Sequence, residues 1–337
     1  MQQSNNVTLS IIIISYNTKK LLKQCLESIV SNIALKRYSN IDKKRKKESK
    51  RLNGYKAKSL SYEIIVVDNN SKDGTKEWLS NIAVKRYSNI DKKRKKKSKR
   101  LKGYKAKPFS FKIIFNNQNL GFSKANNQGI KIAKGEYIIL LNSDTIVQDN
   151  ALGKMIKYME KNPEVAAASP LLLNPDKTPQ LEYFMHFPNL WQIFFYHNRF
   201  LRPFCKIIPI LKNKIYIFPE KQPFETEQLP GAALMARKKT FNKVGLLDKD
   251  YPFFYEDVDW CYRAKILNQK LVMVPQAKII HLKGGSWRKE KKQDVDFYRS
   301  VFCSLLLFVK KNYGSKKEKM FRKAIKLNFF LKGRRWR

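Results

Sequence analysis

The 337-residue sequence is poor in acidic residues, in cysteine and in long apolar runs. Asp and Glu number 27 against 70 Lys and Arg, a formal net charge of +43. Such an imbalance points to polyanionic partners, whether anionic lipid, nucleic acid or phosphorylated substrates. A Lys-, Asn- and Ile-rich composition explains part of the excess but not its clustering at Lys36 to Lys58, Lys85 to Lys107 and Lys310 to Arg337. The four cysteines, Cys25, Cys205, Cys261 and Cys303, include no C-x-x-C pair, which argues against a zinc or disulfide framework and for thiols in a reducing compartment. Met1 to Thr8 has neither a basic nor an apolar leader region, so the chain is expected to remain cytoplasmic, without a signal peptide. No transmembrane helix is expected: no stretch of the aromatic-rich segment Glu182 to Gln228 is long enough and uncharged enough to span a bilayer, and Phe297 to Val309 is short and holds Arg299, as a core helix would.

Short β-branched runs ending in polar loops recur along the chain. Leu9 to Ser15 runs into Tyr16 and Asn17, Tyr62 to Val67 into Asp68 and Asn69, Phe111 to Phe115 into Asn116, and Tyr137 to Leu141 into Asn142-Ser143-Asp144. Between the first two, Leu21, Leu22, Cys25, Leu26 and Ile29 fall at helical spacing, predicting a helix over Lys19 to Val30. This alternation predicts an open α/β sheet with its polar loops gathered at the carboxyl ends of the strands. A basic segment from Ile33 to Lys58 recurs almost unchanged from Ile82 to Lys107, each copy placed after a predicted helix and before a predicted strand. Two copies at this spacing make no solenoid, and they are expected to be duplicated basic insertions. Lys316 to Arg337 mixes Met320, Phe321, Ile325, Leu327 and Phe330 with Lys and Arg, the pattern of an in-plane amphipathic helix.

Candidate chemistry lies in the strand-end loops. Ser15-Tyr16-Asn17 and Asp68-Asn69 could supply an aromatic face and polar groups to a nucleotide, whereas Asp73-Gly74 reads as a turn. Asn119 to Gly129, with Gly121 and Asn126, is a loop entering a helix where backbone must turn tightly or approach a ligand. Asp144, after a buried run, suits a hard divalent cation that prefers oxygen ligands. Glu256, Asp257 and Asp259 crowd three carboxylates into four residues, and at a helix N-terminus an ionised one can accept a proton from an attacking hydroxyl. His281, ending the strand Lys270 to Ile280 and followed by Gly284-Gly285, suits a metal or diphosphate contact.

The ordered series SIIIISYN, VVDNNSKDGT, NLGFSKANNQG, LLNSD, PGAALMARK, FFYEDVDWCYR and HLKGGS resembles glycosyltransferase family 2, in particular its rhamnosyltransferase-like branch, from about Leu9 to about Tyr313. The resemblance implies a GT-A fold, an open, mostly parallel sheet flanked by helices, with a catalytic domain over 1–292 and C-terminal helices over 293–337. Residues 9–144 would form its nucleotide-binding half, interrupted by insertions at 33–58 and 82–107, and 145–292 its acceptor-binding half. It implies that Ser15, Tyr16, Asn17, Asp68, Asn69, Asn119, Gly121, Asn126, Asn142 and Ser143 bind the nucleotide sugar, with Gly231 and Ala232 bordering donor sugar and acceptor. Asp257 matches the family's general base, with Glu256 beside it. Asp144 matches the last carboxylate of the D-x-D motif; with Asn142 in the first position, Mg2+ or Mn2+ would rest on Asp144 and His281. The implied activity is inverting transfer from a dTDP- or UDP-linked sugar, rhamnose or another hexose, to a glycan or lipid-linked acceptor in cell-surface polysaccharide synthesis. The chain would sit at the inner face of the cytoplasmic membrane, with its basic insertions and C-terminal helix on anionic lipid. A sugar nucleotidyltransferase would need a Gly- and Lys-rich phosphate loop at its N-terminus, which SIIIISYN is not. A nucleic-acid-binding protein is suggested by charge alone, without any recognised module.

Overall fold

The computed structural model describes residues 7–39, 61–82, 110–183, 185–196, 201, 203–217, 220–283 and 294–330. Apart from 33–39 and residue 82, both basic insertions lie outside these residues, as do 284–286 of the HLKGGS motif and 331–337 of the C-terminal basic segment.

Strand β1 (Leu9–Ser15) is buried almost throughout, as an isoleucine run must be when both faces of a sheet are covered. It lies between β2 (Tyr62–Asp68) and β4 (Tyr137–Asn142), parallel to both, and β3 (Ser110–Phe115) extends the parallel set beyond β2. Helices α1 (Lys19–Ser39), α2 (75–82) and α3 (Gly121–Ile132) make the connections. All the parallel strands therefore end at one edge, and their terminal loops meet there. Helix α1 continues nine residues past the predicted end at Val30, into the first basic insertion.

Beyond β4 the sheet changes character, and the full strand order is β3-β2-β1-β4-β8-β6-β9-β5. β8 (Ala233–Arg237) runs antiparallel to β4 and to β6 (Val165–Leu173), and β6 runs parallel to β9 (Lys270–His281). The short β5 (Thr145–Val147) and β7 (Phe224–Glu225) both pair antiparallel with β9. Sequence patterning passed over β5 to β8. In β6 the reason is visible, since its run VAAASPLLL holds three alanines and a proline, and the ladder shifts register at Pro170 and Leu171.

Two apolar layers cover the sheet. One packs α1 and α4 (Ala151–Lys161) through Leu22, Ile29, Met155 and Ile156 against Ile11, Ile13 and Ile139. The other packs α3, α5 (Lys238–Val244) and α6 (Glu256–Ile266) through Ala125, Phe241 and Trp260 against Ile12, Ile65 and Leu140. A third cluster joins α7 (Asp294–Tyr313) and α8 (Ser315–Phe330) to the turn 192–196 through Phe302, Phe308, Phe321, Ile325 and Ile193. Two short helices, Phe204–Ile207 and Pro209–Ile215, follow that turn. Among the described residues no helix is long and apolar enough to cross a membrane.

Candidate active site

The strand-end residues build the first half of the site. Ser15 Oγ, Thr18 Oγ1 and Ser143 Oγ form a buried hydroxyl chain, 3.0 and 2.9 Å between successive oxygens, that joins the β1 loop to the β4 loop. Asn17, next to Tyr16, adopts a left-handed backbone (φ 54°). It donates its N–H to Ser71 Oγ at 2.9 Å and accepts the Lys72 N–H at 2.7 Å, fixing the β1 loop to the β2 loop. Asp73 accepts the N–H groups of Lys19 and Thr75, so it caps the start of α1 and closes the turn its sequence suggested.

Asp68, the last residue of β2, is 1 % exposed. Its Oδ2 accepts the Ser71 N–H at 3.2 Å, while its Oδ1 is buried with no hydrogen-bond partner. An orphaned carboxylate oxygen is costly, and at a ligand crevice it is the acceptor a ribose hydroxyl or base N–H would satisfy. Asn69 is saturated by the protein: its amide nitrogen donates to Asn119 Oδ1 and the Gly121 carbonyl, and its Oδ1 accepts from Asn116 Nδ2 and the Leu120 N–H. Asn119 Oδ1 also accepts the Gly121 N–H, and buried Asn126 donates to the Phe122 carbonyl. Gly121 opens α3 at φ 78° with nothing within 4 Å of where a Cβ would stand, so backbone faces open space there.

Asp144 and His281 form the second cluster. The β5/β9 ladder sets Thr145 opposite His281, and the Leu282 N–H donates to the Asp144 carbonyl, so the two side chains emerge together. His281 Nε2 lies 3.3 Å from Asp144 Oδ1 and 3.5 Å from the Asn142 amide nitrogen. Gln180, fully buried, fixes the imidazole: its amide nitrogen donates to the His281 carbonyl (2.7 Å) and to Asn174 Oδ1 (3.1 Å), leaving Oε1 to face His281 Nδ1 at 3.1 Å. That orientation assigns a proton to Nδ1 and turns Nε2 towards the carboxylate. An imidazole lone pair and a carboxylate oxygen side by side are a fitting pair of donors for a divalent cation whose other ligands are diphosphate and water. Among the described residues no three His, Cys, Asp or Glu side chains group as a metal site, so the fit rests on this pair.

The acidic segment lies on the other side. Phe254 and Tyr255 both adopt left-handed backbone conformations (φ 62° and 71°), which bulky residues hold only when their surroundings force it. The force comes from α7: buried Ser304 donates its hydroxyl to the Phe253 carbonyl at 2.7 Å, and the Tyr255 ring packs against Phe308. Helix α6 then begins with Glu256 and Asp257. Asp257 Oδ2 accepts the Gly231 N–H at 2.6 Å and Oδ1 the Val258 N–H at 2.8 Å. Burial pushes Asp257 above the usual carboxylate range; burial and then the Asp257 charge push Glu256 up to about 8. Asp259, the third acid, pairs with Arg263 at 2.8 Å and accepts from Tyr251 and Asn312, which commits it to holding α6 and α7 together.

A strip of backbone connects the clusters. The Asn142 N–H donates to the Ala232 carbonyl at 3.0 Å, and the next residue along, Gly231, donates to Asp257. This strip ties the end of β4, two residues before Asp144, to the start of α6. Tyr183 borders the Asp144–His281 cluster: its ring centroid is 5.6 Å from that of His281, and its hydroxyl is pushed up by burial, then by the charges of Glu182, Asp144 and Asp257. Sequence reasoning missed Tyr183, Gln180 and Thr18. Tyr183 lies in the aromatic-rich stretch already noted, whereas Gln180 carried no signal at all.

A parallel β3-β2-β1-β4 half extended by antiparallel strands, with its strand-end loops on one crevice, is the GT-A fold of glycosyltransferases. Solved structures agree. A mannosyltransferase from Pyrobaculum calidifontis in complex with GDP-Man and Mn2+ is 13 % identical at a TM-score of 0.52, covering 93 % of this chain and 66 % of that one. GalNAc-T7, solved with UDP, GalNAc and Mn2+, is 16 % identical at a TM-score of 0.52, covering 89 % and 48 %. The sequence model described as "Glycosyl transferase family 2" matches residues 10–210. The chain belongs to glycosyltransferase family 2. Among curated proteins it is 26 % identical over 171 residues to the dTDP-rhamnosyl transferase RfbF of Shigella flexneri, and it spans about half the length of that relative, 50 % of each chain being covered.

Proposed function

We propose that this chain moves a sugar, rhamnose or another hexose, from a dTDP- or UDP-linked donor to a hydroxyl of a glycan or lipid-linked acceptor, with inversion at the anomeric carbon. The observation that supports the reading is the Gly231–Ala232 strip, hydrogen-bonded to Asn142 on one side and to Asp257 on the other, which links the segment read as donor-side to the one read as acceptor-side. Ser15, Tyr16, Asn17 and Asp68 take the nucleoside, the orphaned Asp68 oxygen accepting one of its donors. Asp144 and His281 would hold Mg2+ or Mn2+, which when bound supplies positive charge to the departing diphosphate. Asp257 accepts the proton of the acceptor hydroxyl as that oxygen attacks the anomeric carbon and the bond to the diphosphate breaks. Burial, then the Asp257 charge, push the Glu256 carboxyl up, which favours its neutral form beside the base. A role in cell-surface polysaccharide synthesis at the inner face of the cytoplasmic membrane is part of the same proposal, in keeping with the likeness to a dTDP-rhamnosyl transferase and with a net charge of +43.

The test is a panel of nucleotide sugars screened for protection against thermal unfolding, followed by transfer assays on the parent and Asp257→Asn. One donor should stabilise the protein, and Asp257→Asn should lose about 10²- to 10⁴-fold in transfer with donor binding retained. Full activity in Asp257→Asn removes that residue from its role.

A further inference from the structure

Helices Phe204–Ile207 and Pro209–Ile215 leave Ile207 and Ile210 73 % and 69 % exposed, with Phe204 and Trp191 nearly half exposed beside them. On α8, Leu327 and Phe330 are exposed at 48 % and 76 %. Scattered apolar side chains at a surface are ordinary; a concentration of this kind marks a contact surface. The two sets border one structural element. The turn 192–196 buries Ile193 among Phe321 and Ile325, accepts the Asn328 amide at Ile193 O (2.9 Å), and packs its Phe195 and Tyr196 beside Ile215 and Tyr216. Leu211 and Ile215 are buried beneath, so Ile207 and Ile210 ride on a helix pair that is anchored from below.

Charge selects the partner. Helix α8 holds six Lys or Arg against one Glu, and Lys214 is exposed on the short helix. A second copy of the chain would bring lysines against lysines, whereas an anionic lipid surface would neutralise them while its acyl boundary takes the apolar side chains. We propose that Ile207, Ile210 and their aromatic neighbours, with the apolar stripe of α8, form the face that seats this protein in the plane of an anionic bilayer. This deepens the lipid-linked acceptor reading and rests on it. The turn also reaches the segment that holds Asp257: Ile193 and Phe194 share an apolar cluster with Tyr255 and Val258, and Tyr196 meets Tyr216 at 6.0 Å. Seating on lipid would present the acceptor-side wall to molecules held in that bilayer.

The test is flotation of the full chain with vesicles of phosphatidylcholine alone and of phosphatidylcholine mixed with phosphatidylglycerol, comparing the parent with the Ile207→Glu/Ile210→Glu double variant. The parent is expected to float with the anionic vesicles only, and the double variant to lose binding by about tenfold or more. Both side chains are exposed, so circular dichroism and nucleotide-sugar binding should match the parent's. Equal flotation of parent and variant would overturn the proposal, as would lipid-independent dimerisation of the parent that the same substitutions abolish. Vesicle binding by a chain that binds no nucleotide sugar would support the docking face while overturning the transferase reading, which keeps the two failures distinct.

Discussion

Glu256 and Asp257 share one buried helix start and cannot ionise independently. Asp257 has two backbone N–H groups on its oxygens, which favour its ionised form against burial; Glu256 is pushed up to about 8 by burial and then by the Asp257 charge. Transfer should therefore rise with pH through an Asp257 limb above the usual carboxylate range. Glu256→Gln should keep that limb and remove any second inflection about pH 8, which a pH–rate profile checks. The same group has a stability signature. Its pKa is raised on folding from 4.5 to about 8, so the folded state holds a proton that the unfolded state has released, and Glu256 destabilises the fold progressively as pH rises across that window. Thermal melts should show wild type losing stability between those pH values and Glu256→Gln losing less. On the opposite wall, Asp144→Ala takes away one of two proposed metal donors. Calorimetry should show Mn2+-dependent donor binding falling sharply, and unchanged affinity would dissociate Asp144 from the metal.

At the scale of elements, the turn before β8 makes its contacts with the proposed base through backbone. A Cβ on Gly231 would stand 3.1 Å from Asp257 Oδ2 and 3.3 Å from Phe122 Cε1, closer than either neighbour accommodates without moving. Gly231→Ala should thus displace the base at a modest stability cost, about 1–3 kcal/mol, with transfer falling further than donor affinity. Steady-state kinetics beside a melt distinguish this from global destabilisation. Helix α6 also separates its acids by partner: Asp257 takes the backbone N–H groups of Gly231 and Val258, while buried Asp259 ties Arg263, Tyr251 and Asn312 together. Asp259→Ala should cost about 3 kcal/mol or more, as removal of one member of a buried ion pair does. Denaturant melts would read that loss directly.

Across the whole molecule, the C-terminal helices do two things at once. The inner side of α7 holds the Phe253–Asp257 loop through Ser304 and Phe308, and its Lys311 reaches Asp248 and Asp250 just before that loop. The outer face of α8 carries the lysines and the exposed stripe. Removing 294–337 should consequently abolish transfer and lower the melting temperature by roughly 10 °C or more, since it strips the third apolar cluster. A truncated chain that kept parental activity and melting temperature would show that the helices contribute surface alone.

Much of this molecule could be read from one dimension. Parallel strands buried on both faces leave unbroken β-branched runs, so β1, β2 and β4 are legible, and a strand must end where Asp68, Asn142 or His281 interrupts its run. Motif order gave the family before any coordinate did. What pattern could not supply was anything held by partners distant in the chain. β6 and β8 are alanine-rich and become strands because β4 and β9 offer them edges. Gln180 earns its role 101 residues from His281, and Gly231 meets Asp257 across 26. Local sequence encodes which elements form, because periodicity and turn chemistry act over a few residues. Which carboxylate becomes a base and which a brace is set by burial and by backbone donors from elsewhere, and those exist only once the chain has folded.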